Sequence, residues 1–300
     1  MSFSCGFVGL PNVGKSTLFN ALCKGGAEAA NFPFCTIEPN TGIVPVPDER
    51  LQVLSDLEKS GRIVPSTLKF IDIAGLVKGA SQGQGLGNQF LGHIRSVDAI
   101  AHVVRLFEDG DVVHVDGRID PVNDLDVILT ELMLADLESL EKRRDKAHKL
   151  ARANDPDARL EYELIKSLAG QLGDGRIPEY DKNNPKLVEW VKGYGLLSMM
   201  PAFVCANTDE ENFRNFGTSE KAKALVEFAA KHGMEVVPVC AKLEEELGQL
   251  EEEEAAMFME ELGIKETGLA RVIRTGYRLL DYITFFTAGP MESRAWTVTR

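Results

Sequence analysis

The segment that most constrains this chain is GLPNVGKST at positions 9–17. Gly9 and Gly14, followed directly by a lysine and a serine, fit the pattern GxxxxGK[ST], in which backbone N–H groups surround phosphate oxygens. The preceding FSCGFVG is predicted to be a buried strand, and KSTLFNALCK a helix that begins at Lys15. This order places a phosphate at the positive end of the helix. We therefore predict a phosphate-binding loop with the contact residues Asn12, Val13, Gly14, Lys15, Ser16 and Thr17.

Short apolar segments recur along the chain and alternate with helical or glycine-rich pieces. The further strand predictions are TGIVPV, LKFIDIAG, AIAHVVRLF, PAFVCAN and MEVVPVC. Such alternation is typical of an α/β fold with a mostly parallel sheet.

Charge, cysteine usage and hydropathy exclude several classes of protein. The net charge of −13 argues against broad attachment to nucleic acid or anionic membranes, although a local basic patch is compatible with it. The five scattered cysteines contain no CxxC pair and suggest neither a disulfide framework nor a zinc site. Neither a long apolar run nor a signal peptide is recognised. We expect a cytoplasmic protein without membrane attachment.

A helical segment interrupts the alternation between about Asp126 and Gly173. One apolar stripe runs through Leu129, Met133, Leu137, Leu140 and Ala147, and a second through Leu160, Leu164, Leu168 and Leu172. The sequence ANDPD at 153–157 separates them and predicts two antiparallel helices. Eight acidic and eight basic residues in 136–166 favour an exposed coiled-coil arm, with an ordinary helical subdomain as the alternative.

Two further segments supply what a nucleoside triphosphate and its magnesium ion require. Asp72 and Gly75 form a DxxG element at a strand end, where the carboxylate would reach Mg²⁺ through water and the glycine would contact the γ-phosphate. Thr36, in NFPFCTIEPN, is a candidate magnesium ligand together with Ser16. The next residue, Leu76, stands where Ras-like enzymes carry a water-orienting glutamine, so hydrolysis must position water otherwise.

The segment after PAFVCAN is expected to contact the base. It reads Asn207, Thr208, Asp209, Glu210, which is NxxE rather than the guanine-specific NKxD. Thr208 lacks a lysine stem and Glu210 is one methylene longer than aspartate, so guanine preference should weaken. The segment VCAK at 239–242 is expected to support the base from the other side and contributes Cys240, Ala241 and Lys242.

Together these motifs resemble the YchF family, the Obg-like ATPases among the translation-factor-related GTPases. The matching segments cover essentially all 300 residues: GLPNVGKST, NFPFCTIEPN, DIAGLVKGAS, GLGNQFL, the helical insert, NTDE and LLDYITFFTAGP. The resemblance implies a discontinuous nucleotide-binding domain (1–125 and 200–278), an inserted coiled-coil domain (126–199) and the incomplete start of a β-grasp TGS domain (279–300). It also implies that ATP is accepted at least as readily as GTP, that turnover is slow and that the ribosome is a partner.

The residue that activates water is the least determined part of the site. His114 in DVVHVDG is our first candidate, because a neutral imidazole can orient water near pH 7, and His93 is the second. His102 is expected inside the sheet. Asn12 resembles a potassium-binding asparagine of related GTPases, but the same residue occurs without that role.

From the sequence we predict a monomeric, magnesium-dependent ATPase that acts as a slow switch on ribosomes. Lys15, Gly75 and His114 are its predicted catalytic residues, and Ser16, Thr36 and Asp72 its predicted metal-binding residues. Two alternatives remain: a nucleotide-gated binding module with incidental hydrolysis, and an Obg-type enzyme specific for GTP.

Overall fold

The computed structural model of the chain describes residues 3–28, 40–73, 86–108, 118–152 and 155–299. The chain divides into two compact units. The first unit comprises ranges 1–75, 97–124 and 201–300, and the second comprises 76–96 and 125–200.

Nine strands occur in the described part of the chain. They are β1 (Phe3–Val8), β2 (Thr41–Pro45), β3 (Ile63–Val64), β4 (Thr67–Asp72), β5 (Ala99–Arg105), β6 (Ala202–Asn207), β7 (Val236–Val239), β8 (Tyr282–Thr287) and β9 (Ser293–Thr299). The helices there are α1 (Lys15–Glu28), α2 (Glu49–Glu58), α3 (Leu86–Ile94), α4 (Pro121–Ala151), α5 (Pro156–Gly173), α6 (Pro185–Tyr194), α7 (Glu210–Arg214), α8 (Glu220–Lys231), α9 (Ala241–Leu247), α10 (Glu252–Glu261) and α11 (Gly268–Leu279).

The first unit is built on a six-stranded sheet in the order β2-β4-β1-β5-β6-β7. All neighbours in it are parallel except β2, which pairs antiparallel with β4. Every residue of β5 is buried, as a strand with helices on both sides requires. The stacked rings of Phe7 and Phe70, 5.2 Å apart between centroids, extend this core through β1 and β4. The predicted α/β fold with a mostly parallel sheet is confirmed.

Polar side chains begin several helices where the chain leaves a turn. Asp48, Asp155, Asn184, Asp209, Ser219 and Thr267 each accept a hydrogen bond from a backbone N–H of the helix that follows. Each such cap satisfies a donor that the helix cannot pair internally and stabilises it by about 1 kcal/mol. These caps fix the start of α7 and α11, which matter for the sites described below.

In the second unit, α4 and α5 flank the predicted break at 153–157. The α5 stripe is buried at Leu164, Leu168 and Leu172, but Leu160 is 41% exposed, which differs from the prediction. Leu160 lies in the first turn after Pro156, next to the break between the two helices, where Leu150 of α4 is also exposed, at 61%.

A buried carboxylate of α4 connects this helix to the short 3-10 helix at Leu197–Met199. Asp136 of α4 accepts hydrogen bonds from the backbone N–H groups of Leu197 and Ser198, both 2.8 Å, and from the Ser198 hydroxyl, 2.7 Å. Leu197 begins a short 3-10 helix. Burial raises the pKa of Asp136, while these donors oppose that rise.

The end of the chain forms a hairpin of β8 and β9, which joins β3 in a three-stranded sheet of order β3-β9-β8. The pairing of β9 with β3 was not foreseen from the sequence. Ser60 supports it, because its hydroxyl donates to the carbonyl of Gly289 at 2.8 Å and lies 2.8 Å from the Ser293 hydroxyl.

Candidate nucleotide-binding site

The loop between β1 and α1 has a geometry that only glycine permits at two positions. Gly9 lies so close to β5 that an added Cβ would be 2.6 Å from the carbonyl oxygen of Val103. Gly14 has φ +84°, and an added Cβ would be 2.2 Å from the amide nitrogen of Asn207. Asn12 also has positive φ, 62°. The backbone therefore curls tightly before α1 begins at Lys15, as a phosphate-binding loop requires.

Lys15, Ser16 and Asp72 meet at the start of α1. The ammonium group of Lys15 pairs with one carboxylate oxygen of Asp72, and the Ser16 hydroxyl donates to the other at 3.1 Å. Lys15 is nearly buried whereas Ser16 is exposed. The structure thus brings together the loop lysine, the loop serine and the DxxG aspartate, although Asp72 is 57 residues from Lys15 and 56 from Ser16 in sequence.

Asn207, at the end of β6, connects the phosphate loop to the segment after β7. Its amide nitrogen donates to the carbonyl of Val13 at 3.0 Å, and its amide oxygen accepts from the N–H of Ala241 at 3.1 Å. The side chain is buried. Val13 is itself fully buried, and its carbonyl accepts this hydrogen bond.

The other two residues of NxxE also have protein partners. Thr208 is buried, and its hydroxyl donates to the carbonyl of Val239 at 3.3 Å. Glu210 begins α7, and its carboxylate pairs with Arg214 one turn later at 3.2 Å. The Thr208 hydroxyl is therefore engaged within the protein, whereas the Glu210 carboxylate is 44% exposed and takes part in an exposed ion pair.

A cleft of about 940 Å³ joins these elements in the first unit. This volume lies within the range of sites for nucleotide-sized ligands. Its lining contains Leu10, Pro11, Asn12, Gly14, Lys15, Ser16, Thr17, Phe107, Glu108, Asn207, Thr208, Asp209, Glu210, Cys240, Ala241, Lys242, Leu243, Glu245 and Glu246. The phosphate loop and the two segments predicted to contact the base therefore line one continuous space.

Phe107, which the sequence reasoning missed, forms an aromatic wall of this cleft. The guanidinium group of Arg105 lies over its ring, 4.3 Å from the centroid, and its Nε donates to the Phe107 carbonyl at 3.0 Å. Arg105 is buried, so the contact fixes the ring from behind. An aromatic residue at the carboxyl end of a predicted parallel strand was the available signal.

Charge is distributed unequally along the cleft. Lys15 lies in the phosphate loop, and the lining also contains the carboxylates of Glu108, Asp209, Glu210, Glu245 and Glu246 and the exposed Lys242. Cys240 contributes no anion, because burial raises the pKa of its thiol. An anionic ligand group is accordingly favoured beside Lys15 and disfavoured beside the carboxylates.

Several predicted residues lie outside the described part of the chain: Thr36, Gly75 and His114, together with Leu76. Of the other two histidines considered, His93 is exposed near the end of α3. His102 is buried in β5, as expected, and desolvation lowers its pKa to about 4. Neither lines the cleft. Among the described residues, no helix is both long and apolar enough to cross a bilayer.

Comparisons with known proteins agree with this geometry. A family model described as "50S ribosome-binding GTPase" matches residues 4–144. A Haemophilus influenzae protein named "Ribosome-binding ATPase YchF" is 51% identical over 299 residues, covering 100% of this chain and 82% of the relative. The Bacillus subtilis protein of the same name is 49% identical, covering 99% and 81%. The solved YchF GTPase of Schizosaccharomyces pombe matches with a TM-score of 0.87 at 36% identity, covering 99% and 81%.

Proposed function

Because the chain belongs to the YchF family, we propose that it is a magnesium-dependent ATPase whose slow hydrolysis controls its association with ribosomes. The observation that carries the proposal is the single cleft in which the phosphate loop and the base-contacting segments meet. The names of the bacterial relatives supply the ribosome and the ATPase activity as the hypothesis to test. The cytoplasm, where ribosomes work, is the location that we propose for it.

At the phosphate end, Lys15 neutralises the β- and γ-phosphates, and the N–H groups from Asn12 to Thr17 bind their oxygens. Ser16 and Asp72 present a hydroxyl and a carboxylate 3.1 Å apart, the hard oxygen donors that Mg²⁺ prefers. Mg²⁺ is usually held by one or two protein groups and the phosphates themselves. The ion, when bound, supplies neutralising charge during phosphoryl transfer.

At the base end, the side chains offer little discrimination between purines. Thr208 bonds to Val239, Glu210 pairs with Arg214, and Asn207 bridges two backbone segments. The exposed Glu210–Arg214 pair can open, but Glu210 is one methylene longer than the aspartate that accepts from the guanine ring N–H and amino group, and Thr208 has no lysine stem to pack over the base. The backbone groups of 207–208 and 240–242 and the face of Phe107 are left to bind the ring. We therefore propose that ATP is preferred.

The remaining roles are proposals from the sequence. Thr36 completes the magnesium site, Gly75 senses the γ-phosphate, and His114 positions water in place of the glutamine that Leu76 replaces. Electrostatic positioning accounts for most of the catalysis, because phosphoryl transfer needs little covalent chemistry from the protein.

The domain ranges are likewise proposals. Residues 126–199 form an inserted coiled-coil domain, 1–125 and 200–278 the nucleotide-binding domain, and 279–300 the start of a TGS domain. Ordering of the loops around Thr36 and Gly75 by the γ-phosphate would change how these parts meet a partner. The protein acts as a monomer in this scheme.

The test measures phosphate release and ribosome association on the same preparation. Wild type should release phosphate from ATP with Mg²⁺, and its co-sedimentation with ribosomes should differ between ATP and ADP. Lys15→Ala is the matched control and should lose both nucleotide binding and the difference in sedimentation. Equal ribosome binding with ATP and ADP would favour a nucleotide-gated binding module over a hydrolysing switch.

GTP hydrolysis is the second candidate activity, and it is favoured by two descriptions. The family model and the S. pombe structure are both described as GTPases. An Obg-type GTPase would bind GTP at least tenfold tighter than ATP, which corresponds to about 1.4 kcal/mol. Competition between the two nucleotides for the cleft distinguishes the candidates.

A further inference from the structure

A groove of about 290 Å³ in the first unit, separate from the nucleotide cleft, lies between the edge strand β7 and helix α11. Arg271, Arg274 and Arg278 of α11 line one side, and Glu235 lies beside the start of β7. We refer to these four residues and the adjoining 236–238 as the arginine groove.

The sequence of α11, GLARVIRTGYRL, explains why the three arginines share one side of the helix. They recur at intervals of three and four residues, while Val272, Ile273, Thr275 and Gly276 are buried. Side chains at these intervals are neighbours about 5–6 Å apart on a helix. At 1.5 Å per residue, the three guanidinium groups follow about 10 Å of the helix axis.

All three arginines have carboxylate partners, of which Glu235 is 55% exposed and Glu266 is 27% exposed. Arg274 pairs with Glu266 at 2.7 Å, Arg271 approaches the same carboxylate at 3.8 Å, and Arg278 pairs with Glu235. The side chains of Arg274 and Arg278 are 60% and 65% exposed. The exposed Arg278–Glu235 pair contributes little to stability, so an incoming anion can replace it. The exposed part of the Arg274 guanidinium can bind an anion while its pair with Glu266 stays intact. The three arginines and their two carboxylate partners, Glu235 and Glu266, together leave one positive charge in excess. The net charge of the whole chain is −13.

A row of phosphates suits this groove better than an acidic peptide. Guanidinium groups bind phosphate in a bidentate manner, and regularly spaced cations match a ligand with regularly spaced anions. A peptide would attach by adding a strand to the sheet edge, but β7 has only four residues, and Pro238 offers no N–H. The small volume suits one strand rather than a duplex. We propose that the arginine groove binds the phosphate backbone of single-stranded RNA.

This proposal rests on the proposed ribosomal function, since a ribosome presents RNA phosphates. The test measures binding of a labelled polyuridylate oligomer to the full chain at increasing salt. Each phosphate contact to a single strand adds about 0.7 to the slope of log K against log salt. Three contacts predict a slope of about −2. Arg274→Gln with Arg278→Gln should reduce it to about −0.7 and weaken binding about 25-fold at 0.1 M salt.

The matched control is Arg176→Gln with Lys223→Gln. This variant changes the net charge equally, and both residues are exposed and ion-paired outside the groove. Its slope should equal that of wild type. Equal slopes for all three proteins, or binding of polyglutamate instead of the RNA with the same arginine dependence, would overturn the proposal. Thermal unfolding and ATP affinity, measured on each variant, separate failure of the groove from misfolding or failure of the ATPase proposal.

Discussion

Replacement of Gly14 by alanine should destabilise the protein far more than the added methyl group suggests. Gly14 has φ +84°, and its Cβ would lie 2.2 Å from the amide nitrogen of Asn207. The Asn207 side chain cannot swing aside to relieve the clash, because its amide is buried and hydrogen-bonded to both Val13 and Ala241. Asn207 must therefore move and lose its contacts.

The magnitude follows from two contributions. A non-glycine residue in the left-handed region costs about 1 kcal/mol. Displacement of Asn207 breaks its bonds to the Val13 carbonyl and from the Ala241 N–H, at about 1 kcal/mol each. The expected loss in the free energy of unfolding is about 3 kcal/mol, and nucleotide affinity should fall as well because the phosphate loop is distorted.

Gly217→Ala provides the matched control, because Gly217 has φ +91° and no atom within 4 Å of an added Cβ. It should lose only the backbone contribution, about 1 kcal/mol. Asn207→Ala should lose about 2 kcal/mol through its two bonds. The double variant Gly14→Ala with Asn207→Ala should lose about 3 kcal/mol rather than the sum of about 5, since the clashing group is gone.

Urea unfolding followed by circular dichroism measures these free energies. The reasoning is refuted if Gly14→Ala loses no more than Gly217→Ala. It is also refuted if the losses at Gly14 and Asn207 add to within about 0.5 kcal/mol in the double variant, because independent sites behave in that way.

Three other predictions concern the base end of the cleft and a buried carboxylate. Phe107→Ala should weaken ATP binding about tenfold by calorimetry, with the far-UV spectrum unchanged; unaltered affinity would exclude the ring as a base contact. Thr208→Lys with Glu210→Asp should raise the ratio of GTP to ATP affinity at least tenfold in competition titrations, and an unchanged ratio would contradict our reading of NxxE. Burial raises the pKa of Glu244 to about 7, although the Gly268 N–H opposes the rise. The protonated form therefore stabilises the fold below the unfolded pKa near 4.5, and this contribution, about 3 kcal/mol, is lost as pH rises through about 7. Glu244→Gln should remove that dependence in urea unfolding at several pH values; a parallel pH profile would refute it.

The sheet and the phosphate loop were predictable because their signals are local. The apolar strands and the glycine spacing around Lys15 lie within a few consecutive residues, and the structure has β1 and α1 where the sequence predicted them. The break between α4 and α5 is equally local, since proline and turn-forming residues occur together at 153–157.

The link made by Asn207 and the three-stranded sheet could not be predicted, because they depend on contacts between distant parts of the chain. Asn207 bonds to Val13, 194 residues away, and no spacing rule predicts that a side chain expected to contact the base also links two loops. The strand β3 has only two residues and exists through pairing with β9. Tertiary context, rather than local propensity, determines both.

The most direct test of the account is a calorimetric titration of the full chain with ATP and with GTP in the presence of Mg²⁺. We predict that ATP binds at least as tightly as GTP and that Lys15→Ala binds neither. GTP affinity tenfold or more above that of ATP, or tight ATP binding by Lys15→Ala, would contradict the assignment of this cleft to an ATP-preferring phosphate-loop site.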